Sequence, residues 1–215
     1  MILADDQKAR AKAAELILRG GVIAFRTDTF YGLGVDPLNR NAVRAVKRLK
    51  GREDGKPILV LVADIDNADH FIAQRSALFD QVAARFWPGP LTLVGQARDD
   101  LPYELTAGSG TIGVRLPNDE NVRDLIRACG GALTGTSANL SGHAPARTAK
   151  DVEAQFPTGV DLVIDGGEVE VTKPSTVLDL STGKARLIRE GAITREALRA
   201  VLPSLWEGLG EGRSY

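Results

Sequence analysis

Apolar positions recur three and four residues apart in two stretches near the start of the chain, the spacing of a helix with one buried face. Ala13, Leu16 and Ile17 carry that stripe over residues 6–19, and the pair Gly20-Gly21 closes it. Val43, Val46 and Leu49 carry it over 41–50, with basic residues between them and Gly51 as the stop. Between the two, Val22 to Phe25 is a short apolar run that reads as a buried strand. The run ILVLV at 58–62 has the length and character of a strand covered on both faces. Residues 76–86 read as a helix that stops at Trp87-Pro88-Gly89-Pro90, because two prolines in four residues forbid regular helix. Strands follow at 91–95 and 111–116, then a helix over 118–128 closed by Gly130-Gly131. Thr148 and Asp151 form a short version of a capping box for a helix reaching Phe156. Strands at 160–164, 175–180 and 185–189 and a last helix over 194–202 complete the series. Helices interleaved with short strands predict an α/β fold, a single-domain twisted mixed sheet with parallel and antiparallel strands flanked by helices. Residues 203–215, with Gly208, Gly210 and Gly212, read as a flexible C-terminal tail.

Composition narrows the class without changing that picture. At 215 residues, 43% hydrophobic and 26% charged, the chain buries a full core as one domain without covalent staples. The formal net charge of −1 argues against a nucleic-acid coat protein or a polybasic membrane binder, so any electrostatic signal is local. A single cysteine, Cys129, excludes an intramolecular disulfide, and with only His70 and His143 beside it a structural zinc site has too few ligands. The first residues mix Asp5, Asp6, Lys8, Arg10 and Lys12 into the first helix and lack the apolar centre of a signal peptide. No run approaches the ~20 apolar residues of a membrane span. These features predict a cytoplasmic protein with no membrane partner.

Three familiar patterns fail, on spacing, on residue type or on placement. Gly51-Arg-Glu-Asp-Gly55-Lys56-Pro57 has its glycines one residue too close for a phosphate loop, and Pro57 replaces the hydroxyl that would hold magnesium. Gly135-Thr-Ser137-Ala-Asn139 starts like a nucleophile elbow but closes on Asn139. Ser181-Thr-Gly-Lys184 lies in a glycine-containing turn between two strands.

Three signals survive. Residues 40–56 hold seven basic residues, Arg40, Arg44, Lys47, Arg48, Lys50, Arg52 and Lys56, against Glu53 and Asp54, a local excess of five positive charges. Lys50, Arg52 and Lys56 fall on the glycine-containing loop after the helix, where flexible cations converge on a phosphate chain. Small hydroxyl residues cluster on three glycine-flanked turns, Thr27 and Thr29 before Tyr31-Gly-Leu-Gly34, Ser137 and Asn139 in TSANLSG, and Ser175-Thr176, each beside a buried strand. Arg115 and Arg189 sit at the ends of apolar strands, as edge ion pairs or as bidentate clamps on carboxylate or phosphate. Cations, hydroxyls and turns without an evident nucleophile suit positioning and electrostatic stabilisation of a phosphoryl or nucleotidyl transfer.

The motifs FRTDTFYGLG (25–34), LKGR with the following KP (49–57), WPGPLTLV (87–94), TIGVRLP (111–117), TSANLSG with ART (136–148), DGG (165–167), PSTVLDL (174–180) and LIREGAI (187–193) occur in the order and spacing of the YrdC family, which the chain resembles over nearly its whole length. The resemblance implies a YrdC-like domain over 1–202, with a positively charged cleft. It implies condensation of L-threonine, bicarbonate or CO2 and ATP to threonylcarbamoyl-AMP and pyrophosphate, a nucleotidyltransferase step in tRNA threonylcarbamoyladenosine modification. Mg2+ would come with ATP, held mainly by its phosphates, and a downstream tRNA threonylcarbamoyl transferase complex would consume the product. On this resemblance Lys50 and Arg52 are the catalytic pair on the ATP phosphates, with Thr111, Ser137, Asn139, Arg147 and Arg189 also on the ATP side. Thr27, Arg115 and Ser175 are the threonine-binding set, Arg115 on the carboxylate, with Tyr31 and Lys56 as further contacts. Arg26 stands where most of the family has proline, and only residues 190–215 follow Arg189, too few for the further domain of longer relatives. The alternatives are an RNA-maturation factor that binds tRNA or double-stranded RNA in a basic cleft, a YciO-type paralogue without the activity, and the equivalent domain of hydrogenase-maturation carbamoyltransferases. His143, beside the Ser137–Asn139 turn, reads as a solvent-exposed loop histidine rather than a proton acceptor.

Overall fold

The computed structural model describes residues 1–51, 55–170 and 173–202, and the backbone of 206–209. Strand β1 (Ile2–Ala4), absent from the sequence expectation, leads into α1 (Gln7–Leu18), whose cap Asp6 accepts from the Ala9 amide at 2.8 Å. β2 (Ile23–Phe25) and β3 (Gly32–Gly34) form an antiparallel pair around the turn that carries Thr27 to Tyr31. α2 (Arg40–Lys50) starts at the cap Asn39 and ends where Gly51 takes φ 60°, a conformation that costs glycine little. β4 (Val60–Val62) is fully buried, and a 3-10 turn spans Ile65–His70.

α3 (Ala77–Phe86), capped by Ser76, precedes β5 (Leu91–Gln96), then come a short α4 (Tyr103–Thr106), which the pattern did not reveal, and β6 (Thr111–Arg115). α5 (Glu120–Ala128) is capped by Asp119 and is followed by β7 (Ala132–Thr134) and β8 (Thr136–Ser137). α6 (Ala149–Gln155) opens with a complete Thr148/Asp151 capping box, the shorter Asp making both of its bonds. β9 (Leu162–Asp165), β10 (Thr176–Asp179), β11 (Ala185–Arg189) and α7 (Arg195–Val201) complete the expected series. Within the stretch read as a tail, β12 (Trp206–Leu209) runs parallel to β11; positions 203–205 and 210–215 lie outside the described residues.

The mixed α/β architecture is as expected, but among the described residues the strands form two sheets rather than one. The smaller runs β1-β9-β2-β3-β8 and the larger β12-β11-β10-β5-β6-β4-β7. The chain crosses between them at Gly135, the single residue separating β7 from β8. A side chain there has no room, since a Cβ would lie 2.6 Å from Leu61 Cγ and 2.8 Å from Leu59 Cδ1.

Strand direction decides what shares an edge. β6 ends at Arg115 beside the start of its antiparallel neighbour β5. β10 is parallel to β5 with Thr176 opposite Leu91, and β11 is antiparallel to β10 with Arg189 opposite Val177. Arg115, Ser175 and Arg189 therefore meet on one edge of the larger sheet. The tight packing of that edge is testable. Gly191→Ala would set a Cβ 2.2 Å from Pro174 O and 2.7 Å from Ser175 C, and the obstructing atoms are backbone. The expected loss is about 1–3 kcal/mol of unfolding free energy in urea titrations, with displacement of Ser175. Among the described residues no helix is long and apolar enough to cross a membrane.

Candidate active site

Two threonines give the turn between β2 and β3 its shape. Thr27 Oγ1 accepts from the Thr29 and Phe30 amides at 3.2 and 3.3 Å and donates to Phe30 O at 2.6 Å. A hydroxyl has one proton, so in the 3.1 Å contact between the two threonines Thr29 Oγ1 is the donor. The turn is sewn to the next wall by backbone, Tyr31 N to Ala146 O at 3.1 Å and Ala138 N to Tyr31 O at 2.7 Å. Tyr31 is buried, and the single proton of its hydroxyl is shared between Asp165 Oδ1 at 3.1 Å and Gly167 O at 2.9 Å. Burial and the neighbouring Asp165 carboxylate push that hydroxyl far above its ordinary pKa, so it stays a neutral donor.

Arg115, at the end of β6, is only 4% exposed. Its Nη1 donates to Thr29 Oγ1 at 3.1 Å, its Nε to Gly89 O at 3.3 Å, and its Nη2 to the Asp28 carboxylate. Asp28 Oδ2 also accepts from the Asn118 amide at 3.2 Å. Desolvation lowers the guanidinium's pKa and the Asp28 charge opposes the shift. A buried arginine with one carboxylate partner is a fixed positive charge aimed at the cavity beside it.

Ser175, just before β10, is buried with its Oγ 3.2 Å from Thr92 Oγ1. Arg189 grips the same residue, Nε and Nη2 donating to Ser175 O at 3.1 and 2.9 Å and Nη2 to Ser175 Oγ at 3.1 Å. The third wall is the turn after β8. Lys50, at the end of α2 and 4% exposed, donates through Nζ to Ser137 O, to Asn139 O at 2.7 Å and to Asn139 Oδ1 at 3.4 Å. Asn139 Nδ2 donates to Leu140 O and His143 O, both at 2.9 Å.

These three turns enclose a cavity of about 270 Å³ at the junction of the two sheets. Of the residues singled out from the sequence, Thr27, Tyr31, Arg115, Ser137, Asn139, Ser175 and Arg189 all line it. Lys50 stands behind the wall, where it fixes the Ser137–Asn139 turn rather than facing the cavity. Thr111 is at the opposite end of β6 from Arg115, about 13 Å away at the rise of a strand, and bonds with Ser109. Arg147 lies outside the lining with Nε donating to Val169 O at 2.8 Å, and Lys56 is outside it too. Arg52 falls outside the described residues.

The local excess of positive charge is dispersed, because Arg40 and Arg44 pair with Glu104 of α4 on another face. The cavity's described cations are Arg115 and Arg189. His143 is exposed, as read from its loop position. Cys129 packs, partly buried, against the core around α5, and burial pushes its thiol up to about 12, which disfavours the thiolate.

Several contributors were not singled out from the sequence. Phe30, Ile58, Leu59, Leu61 and Pro145 supply the apolar lining, and Asp28 fixes Arg115. Asp28 carried a readable signal, a lone carboxylate inside Thr27-Asp-Thr29, but its partner lies 87 positions away. The arrangement offers guanidinium and hydroxyl groups along one wall, at Arg115, Ser175 and Arg189, that suit a small carboxylate, and beside it the Ser137–Asn139 turn, which adds a hydroxyl and backbone groups to the same cavity.

A family model named Sua5_yciO_yrdC and described as "Telomere recombination" matches residues 15–191. A threonylcarbamoyl-AMP synthase of Thiobacillus denitrificans is 43% identical over 166 residues, 77% of this chain and 88% of the relative. One from Pyrococcus abyssi is 34% identical over 88% of this chain, which spans 56% of that relative's length. Among solved structures, Pyrococcus abyssi Sua5 complexed with L-threonine superposes with a TM-score of 0.91 at 31% identity, covering 96% of this chain and 62% of that one.

Proposed function

The chain belongs to the Sua5/YciO/YrdC family, and from that premise we infer that its cleft makes threonylcarbamoyl-AMP from L-threonine, bicarbonate or CO2, and ATP. The observation that carries this reading is the buried Arg115, held between Thr29, Gly89 and Asp28 at the wall of a cavity lined by small hydroxyls. A carboxylate in that cavity meets an immobile guanidinium, which reduces the entropy lost on binding. Thr27 shapes the turn that helps enclose it, and Ser175, itself fixed by Arg189, lies on the same sheet edge. The synthase names of the curated relatives favour this reading over an RNA-binding or YciO-type one.

The chemistry asks for positioning. Threonine's amine forms a bond to the carbon of CO2 or bicarbonate and loses a proton, and in the bicarbonate case a hydroxide leaves as water. The resulting carbamate oxygen attacks the α-phosphorus of ATP, and the bond from that phosphorus to the bridging oxygen of pyrophosphate breaks. No covalent enzyme intermediate is needed, which suits a cavity of arginines, hydroxyls and backbone groups. In this reading Ser137 and Asn139 contact the nucleotide and Arg189 meets developing negative charge. Mg2+ enters as part of the nucleotide substrate. The cavity lining holds no carboxylate, and among the described residues no group of three or more His, Cys, Asp or Glu gathers to hold a metal, a donor set that fits an ion ligated by the triphosphate. Such an ion would neutralise phosphate charge. The product is a mixed anhydride, and a transferase acting on tRNA would consume it.

Purified protein is expected to release pyrophosphate from MgATP only when both threonine and bicarbonate are present. Release that is indifferent to threonine would overturn the reading.

A further inference from the structure

Arg26 immediately precedes the Thr27–Tyr31 turn, yet it does not line the cavity that this turn encloses. Its side chain runs the other way, against Gly166 and into a separate cavity of about 310 Å³ whose walls include Asp5, Asp119, Asn121 and Asp165. There Nη1 donates to Asp119 Oδ2 at 3.3 Å, with the arginine side chain 36% exposed. Two residues later Asp28 reaches the same part of the chain from the cleft side, bonding to Arg115 and to the Asn118 amide. The turn is therefore fastened to residues 115–119 twice, once through the cleft and once behind it.

The hydrogen bonds inside the turn fix its shape but not its place. Thr27 Oγ1 and the Thr29 and Phe30 amides would keep the same partners if the turn swung as a unit. Its place is set by the Tyr31–Ala146 and Ala138–Tyr31 backbone bonds at one end, by Arg115 on the Thr29 hydroxyl, and by the Asp28 and Arg26 links at the other. We propose that the Arg26–Asp119 ion pair is a latch that holds the threonine-binding turn against the β6–α5 connection, making Arg26 a positioning residue for the amino-acid substrate. This rests on the proposed function for its kinetic readout.

The latch is a partly exposed pair, so its loss shifts affinity by several-fold rather than abolishing it. Arg26 Nε is buried with no hydrogen-bond partner among the described residues. Truncation therefore also removes an orphaned donor, and the fold is expected to persist. Asp119 has a second duty, because its Oδ1 caps α5 by accepting from the Asn121 and Val122 amides. Asp119→Asn retains a capping oxygen while removing the charge facing Arg26.

In steady-state pyrophosphate release, Arg26→Ala and Asp119→Asn are each expected to raise the KM for threonine about two- to fivefold, with kcat and the KM for ATP unchanged. The double variant is expected to be no worse than Arg26→Ala, and Arg26→Lys to restore most of the affinity. An unaltered KM for threonine, additive effects, or an equal rise in the KM for ATP would overturn the latch. If the wild-type protein itself shows no threonine-dependent release, the proposed function is what fails. The latch is then decided by amide exchange, since the Asn118 amide, which donates to Asp28 Oδ2 across the fastening, should exchange faster in both single variants, and unchanged protection overturns it.

Discussion

Arg115→Ala is expected to lower kcat/KM for threonine by about a hundredfold or more while changing the affinity for ATP alone by less than about threefold. The guanidinium is the described cation at the amino-acid end of the cavity, and a charge-assisted bidentate contact made without solvent competition is worth several times a neutral hydrogen bond. The same substitution strips Asp28 of its counter-charge. That carboxylate is 12% exposed, and its other resolved partner is the Asn118 amide, so a stability loss of about 3–5 kcal/mol accompanies the functional one. The two effects separate in the double variant. Asp28→Ala added to Arg115→Ala removes the orphaned charge and should recover part of the urea midpoint, yet threonine binding measured by calorimetry should stay lost. Recovery of threonine binding in the double variant, or equal losses for threonine and ATP in the single one, would mean that Arg115 supports the cleft as a whole and does not contact the carboxylate.

Arg115 also shows where sequence reasoning works and where it stops. Its position at the end of an apolar strand was readable locally, and so were the three hydroxyl turns, because Ser, Thr, Asn and Gly announce turn chemistry within a few residues. Which strand ends face the same way is decided by pairing, which hydrophobic alternation does not encode. Thr111 belongs to the same TIGVR segment as Arg115, yet the strand carries it to the far edge, about 13 Å away. The basic run on α2 looked like one feature in the sequence. In the fold Arg40 and Arg44 turn to Glu104, contributed by a short helix that left no periodic trace, while Lys50 turns inward. At Gly135 the chain passes from one sheet to the other, and a lone glycine between two threonines looks the same whether it bulges a strand or hands the chain to another sheet. Arg26 is the mirror case. Its departure from the family's proline was visible, but only the structure shows it pointing away from the cleft to Asp119.

Lys50→Met is expected to weaken nucleotide binding about ten- to a hundredfold, with the same factor for adenosine, AMP and ATP. Methionine retains much of the buried stem and removes the ammonium, leaving Ser137 O, Asn139 O and Asn139 Oδ1 without the donor that gathers them. The carbonyls of one turn then repel where they were held together, and Asn139, whose amide nitrogen bridges to Leu140 and His143, loses its reference point. A phosphate clamp would behave differently. Were Lys50 to reach the triphosphate, the loss would be negligible for adenosine and would grow with each phosphate added, because the interaction removed is with that charge. The amides report the same distinction without ligand. Ser141 N donates to Lys50 O at 3.1 Å and Ala138 N to Tyr31 O at 2.7 Å, so a turn released by Lys50→Met should exchange both faster, whereas a lost phosphate contact leaves the free protein's exchange untouched. A loss that rises from adenosine to ATP with unchanged exchange would return Lys50 to the catalytic pair that the sequence motif implied; a uniform loss with faster exchange makes it the peg on which the nucleotide wall hangs.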